Sequence, residues 1–485
     1  MIRAELQAAL AAHRFGLGEA NLATVGTDPV AWLTAQIGAA EPQRGAGLAG
    51  GLEGVKRYAE FLRRQRQPQV MQTMQGEGEA MSLARPVEPQ FGEHFRSVVQ
   101  ADVRARLATA ALSTQPFNER LALFWANHFT VSMAKASARG VVGAFEREAI
   151  RPHIAGTFDT LLKAVVHHAG MLRYLDNDNS AGPDSLVARR QARRPRAEGE
   201  PGPRLTGLNE NLAREVLELH TLGVTGGGAV YGGFGGYTQA DVTELARVLT
   251  GWRVPLRELT DAPAGSDPVR FDAAWHQPGH KTVLGKRYAE GPAALDAVLT
   301  DLAQHPSSAN FIATKLARHF VADDPPPTLV ARLADSLRST GGNLPALYRT
   351  LLQAPEAWAL QPAKLKTPEE FVLSTVRVLK LGEQAFARQP DGAIGQLGQR
   401  VQAAPSPAGW PDRAEEWLGP DAVWKRVEWA TRVADRAGRQ IDARALAAAS
   451  LGPLLQESTA RQIDRAADGP QAVALLLMSP EFQRR

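Results

Sequence analysis

Helix start signals, each followed by apolar residues at spacings of three and four, set the fold class of this chain. Thr238 is followed by Asp241, and Thr367 by Glu370, so an N-cap hydroxyl is paired with a carboxylate three residues later. Apolar residues recur with the helical period over most of the sequence. Only residues 269–288 read as extended chain. The sequence therefore predicts a mainly α fold, a large multi-helix globular bundle with a minor extended segment near 269–288.

The length of 485 residues is compatible with one large helical unit or with two lobes. Hydrophobic residues make up 44% of the chain and charged residues 22%, which excludes a disordered or collagen-like protein. Arginines alternate with proline and glycine at residues 181–204, and we predict a solvated basic loop there. No aromatic residues are interleaved for base stacking, which disfavours an anion-binding loop. The chain is then one unit over 1–485, or two lobes, 1–180 and 205–485, separated by this loop.

The net charge disfavours nucleic acid as a partner, and the hydropathy of the chain predicts that it does not span a membrane. Lys and Arg number 55 against 51 Asp and Glu, and a net charge of +4 is too small over this length to favour nucleic acid. No 18 consecutive residues are apolar, so we predict no membrane span. The N-terminus has no uninterrupted apolar stretch of a signal peptide, and the sequence as given reads as cytoplasmic.

Two sequence features limit the cofactors that this chain could bind. They are the glycine-rich stretch 226–236 and the absence of cysteine. The stretch lacks the Gly-Lys-Ser/Thr ending of a phosphate loop, so we predict a flexible insertion there and no nucleotide site. With no cysteine, a metal ion would have to be held by histidines and carboxylates.

The densest polar segment runs from Asn209 to His220. At 100° per residue, Asn211, Glu215 and Glu218 share one stripe beside an apolar stripe, so both carboxylates face the same way. Buried carboxylates need partners or a metal ion, and the pattern fits a functional cleft or a satisfied structural network equally well. Arg214 and Glu218 are spaced as an ordinary ion pair. His220 lies on the other side of the helix from Glu218.

Two further histidines are candidates for chemistry. His128 falls at helical spacing from Trp125, and such a histidine is more often a core residue than a ligand. His276 and His280 flank a Pro-Gly turn at which their imidazoles could approach each other. A turn-stabilising or solvent-exposed role is the alternative for His280.

Several segments together resemble one family. They are Phe124-Trp125-Ala126-Asn127-His128-Phe129, the run from Gly207 to Val224 with Asn209-Glu210-Asn211 and Arg214-Glu215, Tyr237 to Val242, Leu249-Thr250-Gly251-Trp252, and His276 to Gly285. The chain resembles the bacterial DUF1800 family over nearly its whole length. That resemblance implies no settled reaction. It implies frequent export to the periplasm, and a DUF1501-type protein as a partner encoded nearby.

The leading hypothesis is an enzyme with a cleft of carboxylates and imidazoles that performs acid–base or metal-assisted chemistry on an unidentified polymer or peptide. The predicted catalytic residues are Glu215, Glu218 and His276; the predicted substrate-binding residues are Asn127, Asn209, Asn211, Arg214 and Lys366; and His128 and His220 are the candidate ligands of a divalent metal ion. The alternative is a non-catalytic scaffold or maturation factor for a DUF1501-type partner, in which the polar stripe only holds helices together.

Overall fold

The computed structural model describes residues 2–74, 87–193, 207–224 and 236–485. Helices dominate these ranges and strands are short, which confirms the mainly α class. The helices up to residue 259 are α1 (Ile2–Leu10), α2 (Pro29–Thr34), α3 (Gly51–Met74), α4 (Val87–Leu112), α5 (Pro116–His128), α6 (Val142–Phe145), α7 (Phe158–His167), α8 (Ala169–Tyr174), α9 (Leu186–Ala192), α10 (Asn211–Glu215), α11 (Gln239–Leu249) and α12 (Leu256–Leu259).

The helices of the remaining chain are α13 (Ala293–Gln304), α14 (Pro306–Phe320), α15 (Pro327–Ser339), α16 (Leu344–Gln353), α17 (Pro368–Val378), α18 (Gly392–Gln396), α19 (Pro420–Ala437), α20 (Ala443–Leu451), α21 (Glu457–Asp464), α22 (Gly469–Met478) and α23 (Pro480–Gln483). π-Helical turns occur at Ala11–Phe15, Glu146–Ile150 and Val216–Thr221. Short 3₁₀ turns occur at Leu22–Thr24, Ala136–Ala138, Asn177–Asn179, Pro355–Trp358, Glu383–Phe386, Ala414–Trp417, Gly438–Gln440 and Gly452–Leu454. No helix in the described ranges is both long and apolar enough to cross a bilayer.

Two short antiparallel pairs supply the strands. β1 (Trp252–Arg253) pairs with β2 (Arg270–Phe271), and β3 (Lys281–Val283) pairs with β4 (Lys286–Tyr288). Three of these strands fall within the predicted extended segment. Leu284 and Gly285 join β3 to β4 with φ of 50° and 75°, the positive values that a two-residue type I′ hairpin turn requires.

The two predicted capping signals are confirmed. The Thr238 side chain accepts the Asp241 N–H at the start of α11, and the Asp241 carboxylate accepts the Thr238 N–H in return. Thr367 and Glu370 form the same reciprocal pair at the start of α17. Each box satisfies two backbone donors that have no partner inside the helix.

The core consists mainly of two large apolar clusters. The first is built largely from α5, α7, α11 and α13–α16, and the second from α4, α17 and α19–α23. Trp125 lies in the first cluster with no exposed surface, and its Nε1 donates to the Tyr348 hydroxyl at 2.7 Å. Tyr348 donates in turn to the Ile154 carbonyl, so the buried polar atoms of this pair are satisfied. The division of the chain into lobes stays a prediction.

The predicted basic loop is partly wrong. Residues Leu186–Ala192 form α9, because Ser185 accepts the Ala188 N–H as an N-cap and the Ala and Leu content of the segment suits a helix. Arg189, Arg190 and Arg193 are exposed, as expected for a solvated segment. Arg194 and Arg196 lie outside the described residues, as does the glycine-rich stretch up to residue 235.

Candidate functional site

Glu215 and Glu218 lie where α10 changes into a π-helical turn. The Leu222 N–H donates to the Leu217 carbonyl five residues earlier at 2.8 Å, which is the π pattern. The Thr221 hydroxyl donates to the Val216 carbonyl at 2.6 Å and supports the wide turn. Leucines, valine and alanine on one side of this segment are buried, while Glu215 and Glu218 are half-buried on the other. The structure thus places the two carboxylates on one side, as predicted.

The predicted Arg214–Glu218 ion pair is wrong. Arg214 instead pairs with Glu210 at 3.2 Å and contacts the Gln239 side chain. Glu218 accepts a hydrogen bond from the Tyr237 hydroxyl at 3.1 Å. The physical reason is the π turn, which begins at Val216 and changes the angular spacing of the residues that follow, so the α-helical i, i+4 rule does not hold across it.

Glu215 is the carboxyl group of this segment that titrates near neutrality. Burial raises its pKa to about 7, the charge of Glu218 adds to the rise, and Arg214 opposes it. Burial, followed by the charge of Glu218, also raises the pKa of Tyr237 to about 12, so the phenol remains a donor to Glu218 at neutral pH. A half-buried carboxyl with this pKa can exchange a proton at pH 7.

His128 and His220 are neighbours in the first apolar cluster. Their ring centroids are 6.4 Å apart, and His128 Nε2 lies 3.2 Å from the His220 carbonyl oxygen. Burial lowers the pKa of His220 to about 3 and that of His128 well below its usual value, so both rings are neutral at pH 7. Both nitrogens of His220 are buried without a hydrogen-bond partner.

The structure brings these two histidines together but does not complete a metal site around them. In the described ranges, no group of three or more His, Cys, Asp or Glu side chains has an arrangement that could hold a metal ion. A catalytic zinc ion takes three protein ligands and a structural one four. The pair therefore lacks ligands within the part of the chain that the structure describes, and a role in metal binding stays a prediction.

His276 forms a separate cluster with Lys281. His276 Nδ1 is 2.7 Å from the Thr250 carbonyl oxygen, and its Nε2 is 2.7 Å from Lys281 Nζ. Since a carbonyl can only accept, Nδ1 carries the proton and Nε2 accepts from the lysine. No hydrogen bond, ion pair or ring contact joins His276 to Glu215 or Glu218 among the described residues. His280 is exposed, in agreement with the alternative stated for it.

The predicted substrate-binding asparagines have local structural partners. The Asn209 side chain accepts the Asn211 N–H at 2.9 Å at the start of α10 and donates to the Asp176 carbonyl, while Asn211 itself is exposed. Asn127 donates to the Trp410 carbonyl at 2.9 Å and accepts the Trp410 N–H at 2.8 Å. Gly409 allows this close approach, because a Cβ there would lie 2.4 Å from the Asn127 carbonyl oxygen.

Lys366 is buried, with 1% of its surface exposed, and its Nζ has no hydrogen-bond partner. The ammonium lies 4.2 Å from the centre of the Phe482 ring. Burial lowers its pKa to about 7, and the nearby arginines Arg120, Arg485 and Arg426 contribute while Glu370 opposes them. This position disfavours direct substrate contact in the form that the structure shows.

The substitution Lys366→Met should stabilise the protein. The unfolded chain keeps the lysine charged up to its ordinary pKa of 10.5, whereas the folded protein gives up this proton near pH 7. The burial penalty is therefore complete below pH 7 and is lost as the pH rises from 7 to 10.5. We expect the free energy of unfolding in urea to rise by about 1–4 kcal/mol at pH 6 and by less at pH 9. Lys425→Met, at an exposed lysine, is the control and should change it little.

A cleft that is partly open to solvent lies beside α5, α14 and α17. Its polar lining comes from distant parts of the sequence and comprises Arg106, Arg120, Asn127, Thr130, Glu146, His319, Thr367, Glu369, Glu370, Gln399, Gln402 and Asp412. Of the predicted site residues, only Asn127 lines it. Concave sites with converging titratable groups are where ligands and reactions are most often found.

His319 and Asp412 form a dyad in this cleft. His319 Nδ1 lies 3.0 Å from Asp412 Oδ2, and the two side chains are 13% and 22% exposed. Burial raises the pKa of Asp412, but the hydrogen bond from His319 and the charge of Lys364 outweigh burial and hold this pKa well below its usual range. The ionised carboxylate can only accept, so Nδ1 carries the imidazole proton and Nε2 is left with its lone pair. His319 Nε2 is buried without a hydrogen-bond partner.

Ion pairs hold the other carboxylates of the cleft. Arg106 contacts Glu146, and its Nε is 3.0 Å from Glu369 Oε1. Glu370 contacts Arg120 and lies 2.8 Å from Arg485 Nη2. Burial raises the pKa of Glu370, but the guanidiniums of Arg120 and Arg485 outweigh burial and keep this pKa low. The cleft wall is therefore a fixed network of paired charges.

His319, Asp412 and Gln402 were not predicted as site residues. His319 looked like one polar residue in the helical pattern of 307–321, and Asp412 lies in an irregular segment that shows no period. A local signal existed only for Glu369 and Glu370, which stand in the cap of α17. The proximity of Glu369 and Glu370 to α14 is a long-range contact, and residue spacing along the sequence does not predict it.

Comparison with known proteins identifies the family. Residues 10–484 match the family model described as a protein of unknown function, DUF1800. The chain therefore belongs to the DUF1800 family. Comparisons with curated proteins and with solved structures found no match.

Proposed function

We propose that this protein is an enzyme that performs acid–base chemistry in the cleft, with His319 as the base that removes a proton from a bound hydroxyl group or water. The class is the one inferred from the sequence, a cleft of carboxylates and imidazoles, but the residues differ. The observation that carries it is the His319–Asp412 dyad in the wall of a cleft. The catalytic roles of Glu215, Glu218 and His276 stay predictions.

The dyad has the arrangement that a histidine base needs. Burial lowers the pKa of His319 below 6.5, so the ring is neutral and able to accept a proton at pH 7. Asp412 fixes the ring orientation and its tautomer, as a carboxylate does for the histidine of a catalytic triad. An imidazolium formed by protonation of Nε2 would have Asp412 at its Nδ1 and Glu370 Oε1 4.0 Å from its Nε2. Both carboxylates stabilise the imidazolium that forms.

The pH dependence of turnover tests this proposal. Purified protein would be incubated with a panel of esters, glycosides and peptides, and products would be detected by mass spectrometry. For any substrate found, kcat/KM should stay constant as the pH is lowered to 6.5 and should fall only on further acidification. The reason is that the neutral His319 ring is the active form. An acid limb above pH 7, or no turnover of any member of the panel, would count against the proposal.

A scaffold role is the second candidate, and one surface feature favours it. Val423, Trp424 and Val427 on α19 are exposed by 38%, 61% and 37% and are neighbours on the helix surface at spacings of three and four. Such a patch is typical of protein interfaces. The DUF1501-type partner implied by the family resemblance would be the occupant to test.

Co-purification separates the two candidates. If the scaffold role holds, a tagged chain retains a co-expressed DUF1501-type protein in a 1:1 complex, and Trp424→Ser releases it while His319→Gln does not. If the DUF1501-type protein is not retained, or if it is still retained by Trp424→Ser, the α19 patch does not have this scaffold role.

A further inference from the structure

Gln402 has a backbone conformation that residues with a side chain rarely adopt. Its φ is 52°, in the left-handed region that favours glycine. The backbone is held there by its neighbours, since the Gln402 carbonyl accepts the Met133 N–H at 2.8 Å. A glycine would satisfy this turn without strain. Strained backbone of this kind clusters at ligand sites, and Gln402 lies in the wall of the cleft.

The side chain of Gln402 is only partly satisfied. Its Nε2 lies 3.4 Å from Glu146 Oε2, at the long limit of a hydrogen bond, while its Oε1 is buried and has no partner. Buried carbonyl oxygens in proteins are nearly always hydrogen-bonded. The amide of Gln402 therefore has an acceptor that an O–H or N–H donor of a ligand or of water can satisfy.

Other polar atoms of the cleft wall add to this pattern. Arg120 Nε, a donor, and His319 Nε2, an acceptor in the tautomer derived above, are also buried without hydrogen-bond partners. A ligand that satisfies all three must both donate and accept hydrogen bonds. Hydroxyl groups do both.

The charges of the cleft wall are already paired. Both guanidiniums of the wall contact wall carboxylates. Cations from outside the wall add to them: Arg485 lies 2.8 Å from Glu370, Lys364 lies 3.3 Å from Asp412 and also pairs with Asp323, and Arg151, which pairs with Glu119, lies 3.8 Å from Glu146. Each arginine and each carboxylate of the wall therefore already has at least one partner of opposite charge. An uncharged ligand fits this wall better than a phosphate, a carboxylate or an amine.

Trp410 supplies an aromatic surface at the same cleft. The indole is half-buried, its Nε1 donates to the Arg400 carbonyl at 3.0 Å, and its ring centre is 6.0 Å from that of Trp417. The double hydrogen bond between the Trp410 backbone and Asn127 fixes its position. The negative face of a fixed aromatic ring attracts the weakly positive C–H groups of a sugar ring.

We infer that the cleft binds an uncharged, hydroxyl-rich ligand, a sugar unit, with Gln402 Oε1 accepting from one of its hydroxyl groups and Trp410 contacting its ring. The inference rests on the proposed function in that it names the substrate class of the same cleft. The hydroxyl that His319 deprotonates would belong to this ligand or to a water beside it.

Ligand binding to the full chain tests the inference. Glucose, galactose, mannose, N-acetylglucosamine and their disaccharides would be compared with glucuronate and glucose 6-phosphate by saturation-transfer NMR and calorimetry. We expect wild-type protein to bind at least one neutral saccharide, and the charged analogues to bind more weakly. Binding of none of the neutral saccharides, or binding only of the charged ones, overturns the inference.

The variant Gln402→Gly separates binding from folding. Glycine relieves the positive φ, so the unfolding temperature should stay the same or rise, while the Kd for the saccharide should rise about tenfold or more with the loss of the amide. Lys380→Gly is the matched control, because Lys380 also has a φ of 52° but is exposed and does not line the cleft. It should leave the Kd unchanged. An unchanged Kd in Gln402→Gly overturns the assignment of this residue.

The two proposals fail separately. If saccharide binding depends on Gln402 but turnover does not depend on His319, only the proposed function falls. If turnover of another substrate depends on His319 and no neutral saccharide binds, only the ligand assignment falls.

Discussion

Replacement of His319 by glutamine should lower kcat/KM about 100- to 10,000-fold on whichever substrate the wild type turns over. Glutamine keeps a side chain of similar polarity in the cleft but cannot accept a proton at neutral pH. Asp412→Asn should also lower the rate, because an amide can donate to the ring and favour the wrong tautomer. The measurement is steady-state turnover at pH 7.5, with circular dichroism to show that the variants are folded.

Two control variants make this prediction specific. His280→Gln changes an exposed histidine and should keep the wild-type rate. Glu215→Gln tests the rival position inferred from the sequence, where the pKa is raised to about 7. If Glu215→Gln abolishes turnover and His319→Gln does not, the acid–base site lies on the π turn of Val216–Thr221 and not in the cleft.

The substitution Arg106→Met should destabilise the protein by about 3–5 kcal/mol. Arg106 bridges Glu146 and Glu369, and the exposed fractions of the three side chains are 7%, 3% and 12%. Removing the guanidinium leaves both largely buried carboxylates without this cation, and the methionine does not recover the cost of their desolvation. Equilibrium unfolding in urea at pH 7 measures the change.

An exposed ion pair provides the comparison for Arg106. Arg64 and Glu60 are 2.8 Å apart with side chains 63% and 40% exposed, and Arg64→Met should cost less than about 0.5 kcal/mol. A loss of stability in Arg106→Met as small as that in Arg64→Met would mean that the wall carboxylates are solvated or protonated in the folded protein. The paired network described for the cleft would then be wrong.

The fold class followed from local signals, and the structure explains why. The capping boxes at Thr238 and Thr367 depend on contacts within three residues, so the sequence specifies them directly. The α-helical period also predicted that Glu215 and Glu218 share one side, and they do so although the π turn begins between them. The π turn at Val216 was not, since a single inserted residue leaves no mark on the apolar pattern.

The site could not be predicted, because it depends on contacts across long stretches of chain. His319 and Asp412 are 93 residues apart, and Asn127 meets Trp410 across 283 residues. A histidine in a helical pattern gives no sign that an irregular segment will place a carboxylate beside it. Whether Glu215, Glu218 and His276 act together stays a prediction, and in the described ranges no hydrogen bond, ion pair or ring contact joins His276 to either carboxylate.

The state of the His319 ring tests the central claim most directly. Protein labelled with ¹⁵N-histidine would be studied by long-range ¹H–¹⁵N correlation, and the His319 signals assigned by their loss in His319→Gln. We expect a neutral ring at pH 7 with its proton on Nδ1 and its pKa below 6.5. A ring that is cationic at pH 7, or that carries its proton on Nε2, would contradict a base oriented by Asp412.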